Sequence, residues 1–296
     1  MKILRGIVYV FCASVLLLMQ SCMKSEEPID DQKARENDEQ IQAHLKANNI
    51  TAVSAGSGVY YVITKKNEGG KTPVNGDLIT FHFQTSRLDG FKIDSTSRAD
   101  NKPNHSPFGT VNNLWSLLSS VLKEGERATF YLPYNYAYGD KATTNVPAYS
   151  PIAMDFSVEK LRSEEEQIES FIADNKYAVT KTETGLRYAV TKEVPAGEAL
   201  KAGQTIKVNY TGKLLYFAGI LDASNKLTTT FDSGSFSFVL GSGNAVAGFD
   251  QGIAKLKVGE KGVLIFPSSL GYKDATQGSI PAKSPLFFEI EVVSAL

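Results

Sequence analysis

Cysteine, histidine and paired carboxylates are where covalent and metal chemistry usually begin, and this chain of 296 residues offers little of either. Its 2 cysteines, Cys12 and Cys22, both lie near the N-terminus. The rest of the chain therefore holds no disulfide, cysteine zinc site or catalytic thiol. The 3 histidines, His44, His82 and His105, are scattered without metal-ligand spacing and read as surface or loop residues. No metal and no cofactor is expected: there is no glycine-rich phosphate loop, and no Ser, His and acidic residues stand at triad spacing. Aromatic rings are plentiful, with 16 Phe and 13 Tyr against 1 Trp. Taken singly, each such ring in a β-rich chain belongs first to a core. Tyr210 stands apart, because its strand pattern puts a hydroxyl on an inward face.

That pattern is the alternation of Thr205 to Leu214. Ile206, Val208 and Tyr210 fall on one face, and Lys207, Asn209 and Thr211 on the other. The run Leu286 to Val293 likewise places Leu286, Phe288, Ile290 and Val292 on one face. Between them Phe249, Ile253 and Leu256 fall at i, i+4 and i+7, which predicts one short helix lying on a sheet. Ser163 before Glu164, Glu165 and Glu166 has the form of an N-cap with an acidic first turn, opening another helix through Ile168, Phe171, Ile172 and Asn175.

The same elements occur twice. Residues 38–65 align without gaps on residues 165–192, with identities at Glu39/Glu166, Gln40/Gln167, Ile41/Ile168, Asn48/Asn175, Gly58/Gly185, Tyr61/Tyr188, Thr64/Thr191 and Lys65/Lys192. Further on, Lys123/Lys257, Gly125/Gly259, Glu126/Glu260, Pro133/Pro267, Tyr138/Tyr272, Pro147/Pro281 and Pro151/Pro285 keep a second constant offset. Leu114, Trp115, Leu118 and Leu122 are the first-copy counterparts of the short helix. The period is far too long for a solenoid, so each copy is expected to fold around its own core. The fold class is α+β: an antiparallel sheet with one short helix against it, each copy preceded by a short helix.

Six ordered segments of the second copy resemble the FKBP-type peptidyl-prolyl isomerase family. They are Val208-Asn209-Tyr210-Thr211-Gly212, Phe231-Asp232-Ser233, Phe236 to Gly241, Val246 to Gly252, Val258-Gly259-Glu260-Lys261 and Ile280-Pro281. The resemblance covers about 185–296, and more weakly 58–161. It implies a half-barrel sheet wrapped around one short helix, and a pocket that turns X-Pro bonds. That reaction crosses a barrier of about 18–20 kcal/mol set by amide resonance, and needs no covalent step. A dry, aromatic hole that binds the twisted amide better than either planar isomer suffices. By resemblance, Tyr210, Asp232 and Tyr272 form the catalytic set, Tyr272 as hydroxyl donor to a substrate carbonyl and Asp232 shaping the site. Phe231, Phe236, Val246, Phe249, Ile280 and Phe288 line the hole, with Ala245 at its rim.

The second copy also departs from the family. Phe249 replaces the usual Trp, and Ala245 the usual Val. The stretch from Tyr210 to Phe231 is about twice that from Phe83 to Ile93 in the first copy; the extra segment, with Phe217, Ile220 and Leu221, would form a flap or a partner surface. The loop from Tyr272 to Ile280 is one residue short. The first copy keeps Asp94, Trp115, Tyr138 and Val146, but has Phe83 for the pocket tyrosine, Ile93 for the phenylalanine, Met154 for Phe288 and Asn112 opposite Val246. It reads as a weak or inactive copy.

The N-terminus reads as an address. Lys2 and Arg5 precede an apolar run, Ile7 to Met19, that is short for a membrane span. Leu17 to Cys22 resembles a bacterial lipobox, which implies cleavage after 21 and acylation of Cys22. The charged stretch Met23 to Asp31 resembles a flexible tether, and also surface-export signals of the Bacteroidetes type. The organisation expected is a signal peptide over 1–21, a lipidated tether over 22–37, a degenerate FKBP-like domain over 38–161 and an isomerase domain over 162–296. The chain would sit in the cell envelope, lipid-anchored, at the outer membrane. Lys+Arg 31 against Asp+Glu 32 leaves a net charge of -1, which gives nucleic acid no basic face. The partners expected are proline-containing polypeptides and a membrane. Three functions compete: a folding isomerase of exported proteins, a non-catalytic peptide- or partner-binding lipoprotein, and a purely structural one.

Overall fold

The computed structural model describes residues 28–110, 114–217 and 220–296. The expected signal peptide, Cys22 and Asn112 lie outside the described residues.

Two antiparallel sheets share no strand. The first contains β1 (Val53–Gly56), β2 (Val59–Lys65), β3 (Leu78–Arg87), β4 (Lys92–Ser95), β5 (Asn104–Pro107), β6 (Arg127–Leu132) and β7 (Ile152–Arg162). Their order is β1-β2-β6-β7-β3-β4, with β5 also paired to β3. The second contains β8 (Thr180–Lys181), β9 (Arg187–Lys192), β10 (Thr205–Leu214), β13 (Thr230–Val239), β14 (Lys261–Phe266) and β15 (Leu286–Ala295), in the order β13-β10-β15-β14-β9-β8. Strands β9, β14, β15 and β10 thus occupy the places of β2, β6, β7 and β3, so the internal repeat is also a repeat of topology. A hairpin, β11 (Ile220–Leu221) and β12 (Leu227–Thr228), interrupts the run from β10 to β13.

Successive side chains of a strand point to opposite faces, and both faces are used here. Leu264, Phe266, Phe288, Ile290 and Val292 pack with Phe249 and Ile253 of a short helix, α4 (Ala247–Ile253). Their neighbours Val263, Ile265 and Phe287 point the other way, onto Ile168, Phe171 and Ile172 of α3 (Glu164–Asn175). The first sheet repeats the plan. Phe130 and Phe156 meet Leu118 and Trp115 of α2 (Leu114–Ser119), while Tyr131 and Ala153 meet Ile41 and Leu45 of α1 (Ile29–Ala47). Each leading helix therefore covers the face that the short helix leaves bare. Close approach of α4 to its sheet needs Gly248, where a Cβ would fall 2.4 Å from the Phe266 ring.

Two expectations are corrected. The tether does not run to residue 37, because α1 begins at Ile29. Asn37 is buried, accepts from the Tyr134 amide at 2.7 Å and donates to the Tyr149 carbonyl at 2.9 Å, which ties this turn to the first sheet. The short helices also stop early: α4 ends at Ile253 and α2 at Ser119, although Leu256 and Leu122 beyond them stay buried.

β7 runs directly into α3, whose start is a capping box. Ser163 Oγ accepts from the Glu166 amide, and a Glu166 carboxylate oxygen accepts from the Ser163 amide at 2.8 Å. The two halves touch at this joint. Lys71 pairs with Glu166 at 2.6 Å, and Gln167 donates to the Gly76 carbonyl. Tyr216, just past β10, donates to Asp174 of α3 at 2.8 Å. Its ring lies 5.6 Å from that of His105 and 5.4 Å from the Arg162 guanidinium, centre to centre. Among the described residues no helix is long and apolar enough to cross a membrane, and no cluster of His, Cys, Asp and Glu could hold a metal ion.

Candidate active site

A cavity of about 270 Å³ opens on the face of the second sheet that α4 packs against. Tyr210, Phe231, Asp232, Phe236, Asn244, Ala245, Val246, Phe249, Tyr272 and Phe288 line it. Strand β10 brings Tyr210, the first half of β13 brings Phe231, Asp232 and Phe236, and β15 brings Phe288. Phe249 rises from α4 at the base. Ala245 and Val246 come from the loop just before that helix, a loop pinned where the Gly241 amide donates to Asp250 of α4 at 2.9 Å. Tyr272 follows a short 3-10 turn, Ser268–Leu270.

The rings meet edge to face, the arrangement their quadrupoles favour. Phe249 lies 5.1 Å from Phe288 at 76° and 6.0 Å from Tyr210 at 86°. Phe231 closes on Phe288 at 5.6 Å and 80°, and Phe266 stacks behind Phe288 at 5.7 Å. Phe249 and Phe288 are buried, whereas Tyr210, Phe231, Phe236 and Tyr272 are half-exposed and form the walls. Gly212 is fitted to the same rings, since a Cβ there would come within 2.5 Å of Phe231 and 2.8 Å of Phe288.

Tyr210, Asp232, Asn244 and Tyr272 bring polar groups into this apolar setting. The Tyr210 hydroxyl donates to Asp232 at 2.5 Å, and burial first, then this carboxylate, pushes its pKa up to about 12. Burial, and then the Asp232 charge, also raise the pKa of Tyr272. The Tyr272 hydroxyl has no hydrogen-bond partner among the described residues, so its proton is available to a guest. Nothing at the site is a nucleophile poised beside a base. The arrangement suits an apolar ring in the hole, with a carbonyl held at the rim.

Nine of the ten residues that the resemblance assigns to the second-copy pocket come together here. Ile280 does not line the cavity: it is buried at 4 % exposure in the hydrophobic cluster alongside Phe249 and Phe288. Its backbone pairs with Gln277 in both directions, which fixes the turn that carries it. Asn244 lines the cavity without having been anticipated. It sits in a Gly-Ser-Gly-Asn loop that carries no periodic signal, and only adjacency to Ala245 could have pointed to it.

In the first copy the counterpart space is built differently. Trp115 packs between Phe81, at 4.7 Å, and Phe83, at 5.2 Å. Phe83 brings no hydroxyl to Asp94, whose Oδ1 accepts instead from the Ser95 amide at 2.7 Å. The Tyr138 hydroxyl lies 3.4 Å from Thr85 Oγ1.

The model of the FKBP-type peptidyl-prolyl cis-trans isomerase family matches residues 69–159 and 196–293, and the chain belongs to that family. Among relatives, the chain is 28 % identical over 222 residues to Peptidyl-prolyl cis-trans isomerase FKBP9 of Mus musculus, covering 74 % of this chain and 35 % of the mouse protein. It is 39 % identical over 113 residues to Peptidyl-prolyl cis-trans isomerase FPR2 of Saccharomyces cerevisiae, covering 36 % of this chain and 79 % of that one. The chain thus spans only about a third of the mouse relative's length. Among solved structures, FkpA from Escherichia coli is 30 % identical, with a TM-score of 0.36, over 45 % of this chain and 58 % of that one.

Proposed function

We propose that the chain accelerates cis–trans isomerisation of X-Pro bonds at the cavity of the second sheet, and that it helps exported polypeptides fold. The observation that carries this reading is one hole walled by Tyr210, Phe231, Phe236, Phe249 and Phe288, with an unpartnered hydroxyl at its rim. The rings take the proline ring and keep water from the amide, which disfavours the more polar planar forms. Tyr272 donates to the carbonyl of the residue near the proline. Asp232, its position set by Tyr210, faces the carbonyl carbon as the amide twists. Each of these contacts favours the twisted state over both planar ones, which is the whole of the catalysis required.

The first sheet serves as spacer or binding element in this reading, because its Asp94 lacks a tyrosine partner and its Tyr138 is already engaged. We further propose domains over 29–161 and 162–296, cleavage after residue 21 and acylation of Cys22. The chain would then be held to an envelope membrane, at the outer membrane, with residues 22–28 as the tether. A second reading, peptide binding without turnover, draws on the segment between β10 and β13, which contributes no residue to the lining of the cavity.

The test is isomerisation of a short X-Pro peptide by residues 28–296. The wild type accelerates it. Phe249→Ala lowers the rate by at least about tenfold, since it hollows the base of the hole. Tyr272→Phe lowers it by about two- to tenfold, one hydrogen bond's worth. The rate stays flat from about pH 6 to 9, because both tyrosines hold their protons above the ordinary value near 10. Tight peptide binding with no acceleration would replace the enzyme by the binding module.

A further inference from the structure

Tyr272 is carried by a tight turn, and that turn is held from α3, on the sheet face away from the cavity. The Ser268 carbonyl accepts from the Gly271 amide at 2.8 Å and from the Lys273 amide at 2.9 Å, the two residues that flank Tyr272. The Ser268 amide donates to Glu164, in the first turn of α3, and the Ser268 hydroxyl donates to the other oxygen of the same carboxylate at 3.2 Å. Ser268 is buried, where an amide without a partner costs free energy. Glu164 therefore reaches the residues around Tyr272 through a single peptide unit on either side of Ser268.

The first copy builds the same clasp from a different side chain. Asn37 stands at the repeat position of Glu164, and Tyr134 at that of Ser268. Asn37 accepts from the Tyr134 amide, and the Tyr134 carbonyl accepts from the Ala137 and Gly139 amides, which flank Tyr138. An acceptor at this position of the leading helix is what the two copies share. They differ at the far end of the loop. Asn37 also donates to the Tyr149 carbonyl, whereas an ionised carboxylate has no proton to give, and Glu164 makes no such bond to Lys283, which holds the place of Tyr149. In the second copy the clasp fastens the tyrosine turn alone. Nor does the fold gain from the charge. Burial raises the pKa of Glu164 against the pull of the two Ser268 bonds, so ionisation costs the folded state stability at neutral pH.

We infer that Glu164 is a positioning residue, which from the far face of the sheet sets where the Tyr272 hydroxyl stands at the cavity rim. What that hydroxyl does for a substrate rests on the isomerase reading; how it is held does not.

Isomerisation of the X-Pro peptide is compared in Glu164→Ala, Glu164→Gln, Tyr272→Phe and the double variant Glu164→Ala, Tyr272→Phe. Glu164→Ala lowers kcat/KM by about two- to fivefold, within the loss that Tyr272→Phe brings. Glu164→Gln, which keeps an acceptor for Ser268, keeps the wild-type rate. The double variant is no slower than Tyr272→Phe alone, because the clasp acts through that hydroxyl. Ser163→Ala, which loosens the start of α3 without touching Ser268, lowers the melting temperature and leaves the rate as it was. Equal losses from Glu164→Ala with and without the Tyr272 hydroxyl, or no loss in either, would overturn the inference. The ring signals of Tyr272 in the magnetic-resonance spectrum of a sample with isotope-labelled tyrosine, recognised by their absence from Tyr272→Phe, report on the clasp without a substrate. They move in Glu164→Ala and stay in place in Ser163→Ala. Unmoved signals in Glu164→Ala sink the positioning role, whereas moved signals in a protein that accelerates no peptide remove the isomerase reading and leave the positioning role standing.

Discussion

A methyl group at position 212 would have to sit 2.5 Å from the Phe231 ring and 2.8 Å from that of Phe288. The glycine after Tyr210-Thr211 therefore lets the two rings close over the strand and complete the cavity wall. Gly212→Ala pushes them apart, at a cost of about 1–3 kcal/mol in stability. It should lower both the melting temperature and the isomerisation rate; a variant with an unchanged rate would show that the rings are held from elsewhere. At this scale much of the site is legible in the sequence, because strand alternation turns Tyr210 and Phe288 inward and motif order supplies Phe231 and Phe236; the last two share a side only because Phe231 sits in a bulge, where Gly212 pairs with Asp232 and Lys213 with Thr230. What spacing does not encode is side-chain direction within an irregular turn. Ile280 falls into the core for that reason, and Asn244 reaches the cavity unannounced. The Tyr210–Asp232 bond, by contrast, follows once β10 and β13 pair in register, with Gly212 opposite Asp232.

Among the elements, α3 carries the most testable energetics. Its capping box is readable from Ser163 and the three glutamates that follow, and Ser163→Ala should cost about 1 kcal/mol. Glu166 serves the box and Lys71 at once. The hydrogen bond from Lys71 comes first, then that from the Ser163 amide, and together they draw its carboxyl from 4.5 down to about 2. On acidification the unfolded chain takes up this proton before the folded one. The stability that the charge contributes is therefore whole above about pH 4.5 and lost between there and about pH 2. Glu166→Gln should flatten that limb of a melting-temperature profile; an unaltered acid limb would mean that the Lys71 contact does not persist in solution. The leading helices show where sequence reading stops. Ile41 and Leu45 carry the helical period, but that period does not say which sheet face they cover, nor that the helix begins back at Ile29. Its first turn is held by Asp30, which accepts from the Tyr134 hydroxyl at 3.0 Å, and its middle by Asn37 reaching Tyr134 and Tyr149, contacts about a hundred residues distant in the chain.

At the scale of the whole molecule the joint between the halves centres on Tyr216. Its ring faces His105 and Arg162, its hydroxyl reaches Asp174, and Phe171 meets it edge-on at 5.9 Å. Nothing in the linear pattern marks this residue, since its neighbours come from both sheets and from α3. Tyr216→Ala should loosen the halves, so that one calorimetric unfolding transition in the wild type becomes two; a single transition in the variant would place the coupling in Lys71–Glu166 and Gln167–Gly76 instead.

The strand order has a bearing on when each half can exist at all. β15 is the last strand of the chain, yet it lies inside its sheet, hydrogen-bonded to β10 on one side and to β14 on the other. β7 holds the same place in the first sheet. During synthesis, then, the first half can close once β7 has emerged, while the second stays divided until the ten residues of β15 have followed. For that interval the rings of the cavity are present as sequence but not as a wall. A chain cut short before Leu286 would lose the middle of its second sheet rather than an edge, and with it Phe288 from the cavity wall.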